Sequence, residues 1–325
     1  MLKYYEHERG GVQMSFSNEI KNEIIRYDYN SSEKNALLSG LTKINGTLSM
    51  SNKGVVVEVR TENAKTAKLV FLIIKELYNI DCRLLVAKKN KFNKNSIYVA
   101  QIRNNGLDIL SELEIYKEGI LDALPTGKTL KKENEKRAYL TGCFLASGSI
   151  NDPSSKNYHL EISTNSLKHA EYLQKLITKF DLNPKIIKRR TRFVVYLKKS
   201  EEISDFLRII NSQVGVMYFE EERINKDYWN SNNRLNICEI ANEVKALNSA
   251  KEQIDAINKI FDNNMTYLLD IKDKQIAQIR LDNPEANLQE IAQIYTEKFE
   301  KPISKSGVNH RIRKIKQIAS EIKGD

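Results

Sequence analysis

Leu37-Leu38-Ser39-Gly40-Leu41-Thr42-Lys43-Ile44-Asn45-Gly46-Thr47-Leu48 and Tyr139-Leu140-Thr141-Gly142-Cys143-Phe144-Leu145-Ala146-Ser147-Gly148-Ser149-Ile150 are two versions of one pattern. Each sets two glycines six residues apart in a largely apolar run, and the copies align at an offset of 102. The match continues at 103, where Glu58, Thr61, Lys65 and Ala67 meet Glu161, Thr164, Lys168 and Ala170. A repeat constrains the architecture before any local assignment does.

Working outward, each copy predicts the same succession of elements. A helix around the glycines leads to a strand at 54–60 or 158–163, whose β-branched or alternating residues suit a sheet. A second helix follows, with Ala67, Val70, Phe71, Ile74 and Leu77 on one face in the first copy. Ala170, Leu173, Leu176, Ile177 and Phe180 do the same in the second. Each copy then closes with a basic hairpin. Residues 83–87 pair with 96–102 across the turn 88–95, and 185–188 pair with 193–197 across 189–192. The expectation is an α+β fold, an αββαββ unit used twice.

The chain has 325 residues and a formal charge of +10, which calls for two or three domains and points to an anionic partner. The basicity is concentrated. Residues 83–94 carry five cations and no acid, 185–199 carry seven and none, and 301–325 carry seven against two, so the remainder is net acidic. Three such segments suit phosphate binding. The densest apolar run, 69–74, is too short to span a membrane. Cys82, Cys143 and Cys238 stand far apart without a CxxC pair, which argues for reduced thiols and against a disulfide framework or zinc site. No cofactor and no metal are expected, and the chain reads as cytoplasmic and nucleoid-associated.

Residues 1–13 are polar, lack the apolar core of a signal peptide, and read as a non-native or disordered extension. Glu8-Arg9-Gly10-Gly11 is what purine-rich ribosome-binding-site codons would give if translated, which favours Met14 over Met1 as the start. The repeat then divides into halves at 14–125 and 126–225. The polar stretch 228–236, with Asn230, Asn232, Asn233 and Asn236, marks a boundary, so 226–241 is read as a linker and 242–325 as a separate all-α domain.

In that last domain, helices are expected over 242–261 and 268–281, the latter stopped by Asn283-Pro284. Asn287 and Glu290 form an N-x-x-E cap for a helix through Tyr295. Ser304 can cap the final helix, whose stripe of Val308, Ile312, Ile315, Ala319 and Ile322 faces the core. Ser306, Asn309, His310 and Arg313 point away from that stripe, flanked by Lys305, Arg311, Lys314 and Lys316. A recognition helix needs this arrangement, with polar side chains for base edges and flanking cations for phosphates. The segment 296–303 is longer than a tight helix-turn-helix turn.

The two glycine motifs resemble those of LAGLIDADG homing endonucleases. That resemblance implies motif helices packed side by side on a pseudo-twofold axis, with a metal-binding acid at the penultimate position of each motif. Those positions hold Asn45 and Ser147. An amide and a hydroxyl are poor Mg²⁺ ligands, and Lys43 would repel the ion, so the fold is expected without cleavage. An active endonuclease would need substitute acids such as Glu19, Glu23, Glu133 or Glu135. In the homing endonuclease fold the sheets form a saddle over the duplex, which makes Lys88, Lys89, Lys91, Lys188, Arg189, Arg190 and Arg192 candidate backbone contacts.

The chain as a whole resembles the WhiA family. The resemblance is carried by Met14-Ser15-Phe16-Ser17-Asn18-Glu19-Ile20-Lys21, the degenerate motif pair, Asn233-Arg234 with Asn236, Cys238, Ala241 and Asn242, and the run from Ile303 to Lys314. It implies a DNA-binding transcriptional regulator linked to cell division, chromosome organisation or sporulation. Double-stranded DNA is the implied partner, with another transcription factor or RNA polymerase as a further candidate and no membrane. The alternatives are a metal-dependent endonuclease, or a nuclease-like domain that serves as a protein-interaction module.

Overall fold

The computed structural model describes residues 15–51, 54–88, 96–103, 105–117, 119 and 122–322. The expectations for 1–13, Met14, Lys89 and Lys91 fall outside them. The chain divides into two compact units, Met1–Lys226 and Asp227–Asp325.

Unit one opens with helix α1 (Phe16–Ile24) and then runs through two matching halves. The first half is α2 (Ser31–Asn45), β1 (Gly46–Ser51), β2 (Gly54–Thr61), α3 (Ala64–Tyr78), β3 (Cys82–Lys88), β4 (Ser96–Ile102) and α4 (Gly106–Glu112). The second is α5 (Glu133–Ser147), β5 (Gly148–Ile150), β6 (Leu160–Thr164), α6 (Leu167–Thr178), β7 (Lys185–Arg189), β8 (Arg192–Leu197) and α7 (Ser200–Ile209). Each half makes a four-stranded antiparallel sheet, ordered β1-β2-β4-β3 and β5-β6-β8-β7. The α+β repeat is therefore real. The sequence pattern assigns no strand to β1 and β5, which begin at the second glycine of each motif, directly where the motif helices end.

The repeated sequence signals repeat as local chemistry. Glu33 and Glu135, at the 102 offset, both return their carboxylates to the backbone N–H that opens their helix, at Asn30 and Lys132. Asn63 and Ser166, at 103, both cap the following helix, accepting from Thr66 N and His169 N.

The glycines explain why α2 and α5 can pack as a pair. A Cβ on Gly40 would stand 2.3 Å from the carbonyl oxygen of Tyr139, and one on Gly142 would stand 2.1 Å from that of Leu37. The backbones touch there, leaving no room for any side chain. Leu37, Leu38 and Leu41 on α2 and Leu140, Cys143 and Phe144 on α5 are fully buried.

Unit two begins within α8 (Gln213–Asp262), a helix of 50 residues. The polar stretch 228–236 is thus helical rather than a turn, and 226–241 is continuous helix. Beyond Gly215 this element contains no glycine or proline, so nothing in it breaks the backbone hydrogen-bond ladder, and its asparagines only lower helix propensity. After a short 3-10 turn (Thr266–Leu268) come α9 (Ile271–Asp282), α10 (Leu288–Phe299) and α11 (Lys305–Glu321). Their core joins Ile257 and Ile260 to Ile276, Ile291, Tyr295, Val308, Ile312 and Ile315, which includes the expected stripe of the last helix. Arg280 is buried in this unit and donates to the carbonyls of Asn283 and Ala286, tying down the loop that follows α9.

Candidate nucleic-acid interface

The motif helices bring the former acid positions to matching ends, and both side chains are used internally. The Asn45 amide donates to the Ala146 carbonyl across the helix pair at 3.1 Å, and the Ser147 hydroxyl donates to the Ser163 carbonyl on β6 at 2.6 Å. Beside them, the ammonium group of Lys43 is buried and bonds the Asp122 carboxylate at 2.8 Å. Desolvation works against Asp122 ionising, yet Lys43 outweighs it and holds the carboxyl below its usual range. Beneath Lys43, His169 is fully buried between Tyr139 and Thr164, at 2.9 and 3.0 Å. Burial, reinforced by the nearby Lys43 charge, pushes its imidazole down to about 3, so it is neutral at physiological pH.

This donor set does not suit a divalent ion. Mg²⁺ needs anionic oxygen ligands, whereas the motif ends offer an amide N–H, a hydroxyl already donating, and a cation. Among the described residues no group of three or more His, Cys, Asp or Glu could hold a metal. The substitute acids do not supply one. Glu133 and Glu135 lie in the first turn of α5, roughly 20 Å along the helix from Ser147. Glu23 instead accepts from Ser212 Oγ and from the backbone N–H groups of Val214 and Gly215, which caps α8.

The face of each sheet turned from the core carries a carboxylate. Val57 and Val59 are buried, so Glu58 projects to the other side, where it accepts from Arg60 at 2.7 Å and Gln101 at 2.8 Å. Arg60, then Gln101, hold its carboxyl below the usual range. At the equivalent place, Glu161 meets Arg189 at 3.1 Å and His159 at 2.9 Å. Arg192 donates to the Ser163 hydroxyl, and Lys188 lies over the Phe193 ring. The β7–β8 turn is tighter than expected, because Arg189 pairs with Arg192 and Arg190 takes a left-handed φ of 55°. Lys88 ends β3.

In unit two, α10 extends one turn beyond the expected Tyr295. Thr296 bonds back to Ala292 and Phe299 packs on Tyr295, with ring centroids 5.0 Å apart. Only residues 300–304 separate α10 from α11, so the expected long connection is corrected to a compact turn. Glu300 supplies a left-handed φ of 52° and Ser304 Oγ accepts from Gly307 N. Lys305, Ser306, His310 and Arg313 are exposed on α11, and Asn309 is half-buried. Lys305 and Arg313 make no ion pair among the described residues.

The flanking cations are arranged differently. Arg311 bonds Asp270 at 2.9 Å and Asp273 at 2.8 Å, Lys314 bonds the same two carboxylates at 3.2 and 2.7 Å, and Lys316 bonds Glu252 at 2.7 Å. The Asp273 carboxylate is wholly buried. Asp270 is held well below the usual carboxylate range: desolvation opposes this, but the Asp273 backbone N–H, Arg311 and Lys314 prevail. Arg311 and Lys314 therefore fasten α11 to the start of α9. Sequence reasoning missed the two aspartates because they lie about forty residues from their partners. Asp270 showed only the local signal of a helix cap.

Family comparison covers both units. The WhiA N-terminal LAGLIDADG-like domain matches residues 31–116, the WhiA LAGLIDADG-like domain 136–229, and the WhiA C-terminal HTH domain 232–319. The chain belongs to the WhiA family. The "Probable cell division protein WhiA" of Staphylococcus aureus (strains JH9 and Newman) is 40% identical over 310 residues, covering 95% of this chain and 98% of the relative. The crystal structure of full-length DUF199/WhiA from Thermatoga maritima matches with a TM-score of 0.57 at 24% identity, over 96% of this chain and 100% of that one, and supports the fold. This WhiA-family chain thus joins two degenerate LAGLIDADG-like halves to a helix-turn-helix. Among the described residues, no helix is long and apolar enough to cross a membrane.

Proposed function

We propose that the chain is a sequence-specific DNA-binding regulator of genes tied to cell division, chromosome organisation or sporulation, and that it does not cleave DNA. One contrast carries this reading: α11 exposes Lys305, Ser306, His310 and Arg313, while Asn45 and Ser147 direct their hydrogen atoms into backbone carbonyls. Arginine and asparagine can bond base edges in pairs, and lysine can neutralise phosphate, so Arg313 and Asn309 are the proposed base readers. Lys305 is a proposed phosphate contact, as are Arg190 and Lys188 from the hairpin of unit one.

A genome-wide binding profile tests the assignment. One sequence motif upstream of promoters is the expected result, and uniform coverage would replace regulation with nucleoid structuring. Plasmid incubated with the purified protein and Mg²⁺ or Mn²⁺ should stay uncut; metal-dependent nicking would restore the endonuclease. A second reading places a protein partner, such as another transcription factor or RNA polymerase, on the sheets of unit one. The carboxylates of Glu58 and Glu161 favour it, since each already neutralises arginines that a phosphate would otherwise claim.

A further inference from the structure

β3 and β7 occupy the same place in the two halves. Each ends its four-stranded sheet and, among the described residues, pairs on one side only, with β4 or with β8. The outer side of such a strand carries a row of unpaired backbone N–H and C=O groups, which proteins commonly guard with charge. β7 is guarded. It runs Lys185-Ile186-Ile187-Lys188-Arg189, with Lys188 laid over the Phe193 ring and Arg189 paired with Glu161. At the 102 offset β3 has Arg83, Leu84, Leu85, Val86 and Ala87, so Val86 and Ala87 stand where β7 places two cations. Leu84, Leu85 and Val86 are 44, 41 and 62% exposed.

We propose that β3 is a docking edge, which takes an extended acidic segment of a partner protein as a fifth strand of its sheet.

The occupant follows from what the edge offers. Backbone pairing accepts an extended chain of any sequence, and the side chains beside it set the preference. Leu84 pairs with the buried Ala100, so Leu84 and Val86 lie on the core-facing side of the sheet and Leu85 on the other. An added strand would therefore place apolar residues opposite all three, as cross-strand pairs do within a sheet. Its ends would meet cations. Residues 83–94 include Arg83, Lys88, Lys89, Lys91 and Lys94 and no acid. The Arg83 guanidinium stands 3.8 Å from Asp81, longer than a hydrogen bond, and is open to a second carboxylate.

A short apolar run flanked by Asp and Glu fits both features. A second copy of the chain would bring five more cations to this edge instead of offsetting the five in place. Duplex DNA has no amide row to extend a sheet and leaves the three apolar side chains in water. The proposal is independent of DNA recognition by α11. It narrows the protein-partner reading of unit one to one strand, and its failure would leave the sheet faces of that reading untouched.

Fluorescence anisotropy of the full-length chain with the labelled peptide Asp-Glu-Val-Ile-Val-Glu-Asp tests it. The peptide reads the same in both directions and so suits either strand orientation. Saturable micromolar binding is expected, and Lys-Lys-Val-Ile-Val-Lys-Lys should not bind. Leu84→Ser with Val86→Ser should weaken binding roughly tenfold through the loss of two apolar cross-strand pairs. Its unfolding temperature should hardly move, because both positions are exposed. Ile187→Ser, on the guarded edge, should leave affinity as it is. Methylating one alternate set of peptide amides should abolish binding, and methylating the other set should not. No saturable binding, equal binding by the double variant, or full binding by both methylated peptides would overturn the proposal. A wild type that dimerises where the double variant does not would give the edge to a second copy. A double variant that loses affinity for duplex DNA and keeps the peptide would give it to nucleic acid.

Discussion

The α2–α5 pair of unit one and the α10–α11 pair of unit two are both close-packed, and they use their polar side chains in opposite ways. In the first, the polar groups at and beside the former acid positions turn inward: Asn45 and Ser147 to carbonyls, Lys43 to Asp122, His169 to Tyr139 and Thr164. In the second, Arg311 and Lys314 secure the helix to Asp270 and Asp273, while Lys305, Ser306, His310 and Arg313 remain outward. The packing of the helix pair does not depend on what stands at those two positions, because it rests on the glycine contacts with backbone carbonyls.

The sharpest way to break the first pair is Gly142→Ala. Its new methyl group would be forced against a backbone carbonyl that cannot swing away, so unit one should lose about 3 kcal/mol, at the upper end of overpacking costs. Thermal unfolding should show the loss in unit one and leave the unfolding of unit two in place. If both transitions hold, the helices are not in backbone contact.

Arg313→Ala probes the open face of the second pair. It should weaken binding to the preferred site by about 1 to 3 kcal/mol and relax base preference, without altering stability. Titration against preferred and random duplexes checks this; equal losses on both would move Arg313 to the phosphates.

Acid separates the two pairs. His169 is held neutral with its folded pKa lowered to about 3, so the unfolded chain takes up protons first as pH falls below its ordinary value near 6.5. The stability it contributes is complete above about 6.5 and erodes by up to tenfold in the folding equilibrium per pH unit towards 3. Asp270, with its folded pKa depressed, gives its contribution above about 3.9 and loses it only below that. Hydrogen exchange from pH 7 to 4.5 should therefore show unit one loosening first. His169→Gln should flatten that dependence.

Asp273→Asn leaves Arg311 and Lys314 with weaker acceptors at a buried position. A loss of about 1 to 2 kcal/mol in unit two is expected, because both cations retain water and Asp270. DNA affinity should fall through looser seating of α11 and base preference should stay. A change in preference would mean that the pair also faces the bases.

The smallest effect is expected from neutralising Lys188, Arg189, Arg190 and Arg192 together. Since Arg189 is already paired with Glu161, the slope of log affinity against log salt should drop by fewer than four phosphate contacts, at roughly 0.9 each. An unchanged slope would favour a protein partner on that sheet.

Much of this was legible in the order of residues. The paired glycines, the 102-residue repeat, the missing acids, the Asn287 and Ser304 caps and the apolar stripe of α11 are local or periodic signals, and a helix or cap forms mostly from neighbours within four residues. The helical state of 228–236 was misread because asparagine-rich composition signals a turn, while helix formation depends on cooperative propagation through a stretch without a breaker. Which cations of α11 are free was decided only by the tertiary structure. Lys305, Arg311 and Lys314 all read as flanking cations in the sequence; the fold sets Asp270 and Asp273 against two of them, across some forty residues. Charge pairing falls off over a few ångströms and takes no account of separation along the chain, so it waits on the packing that brings the partners together.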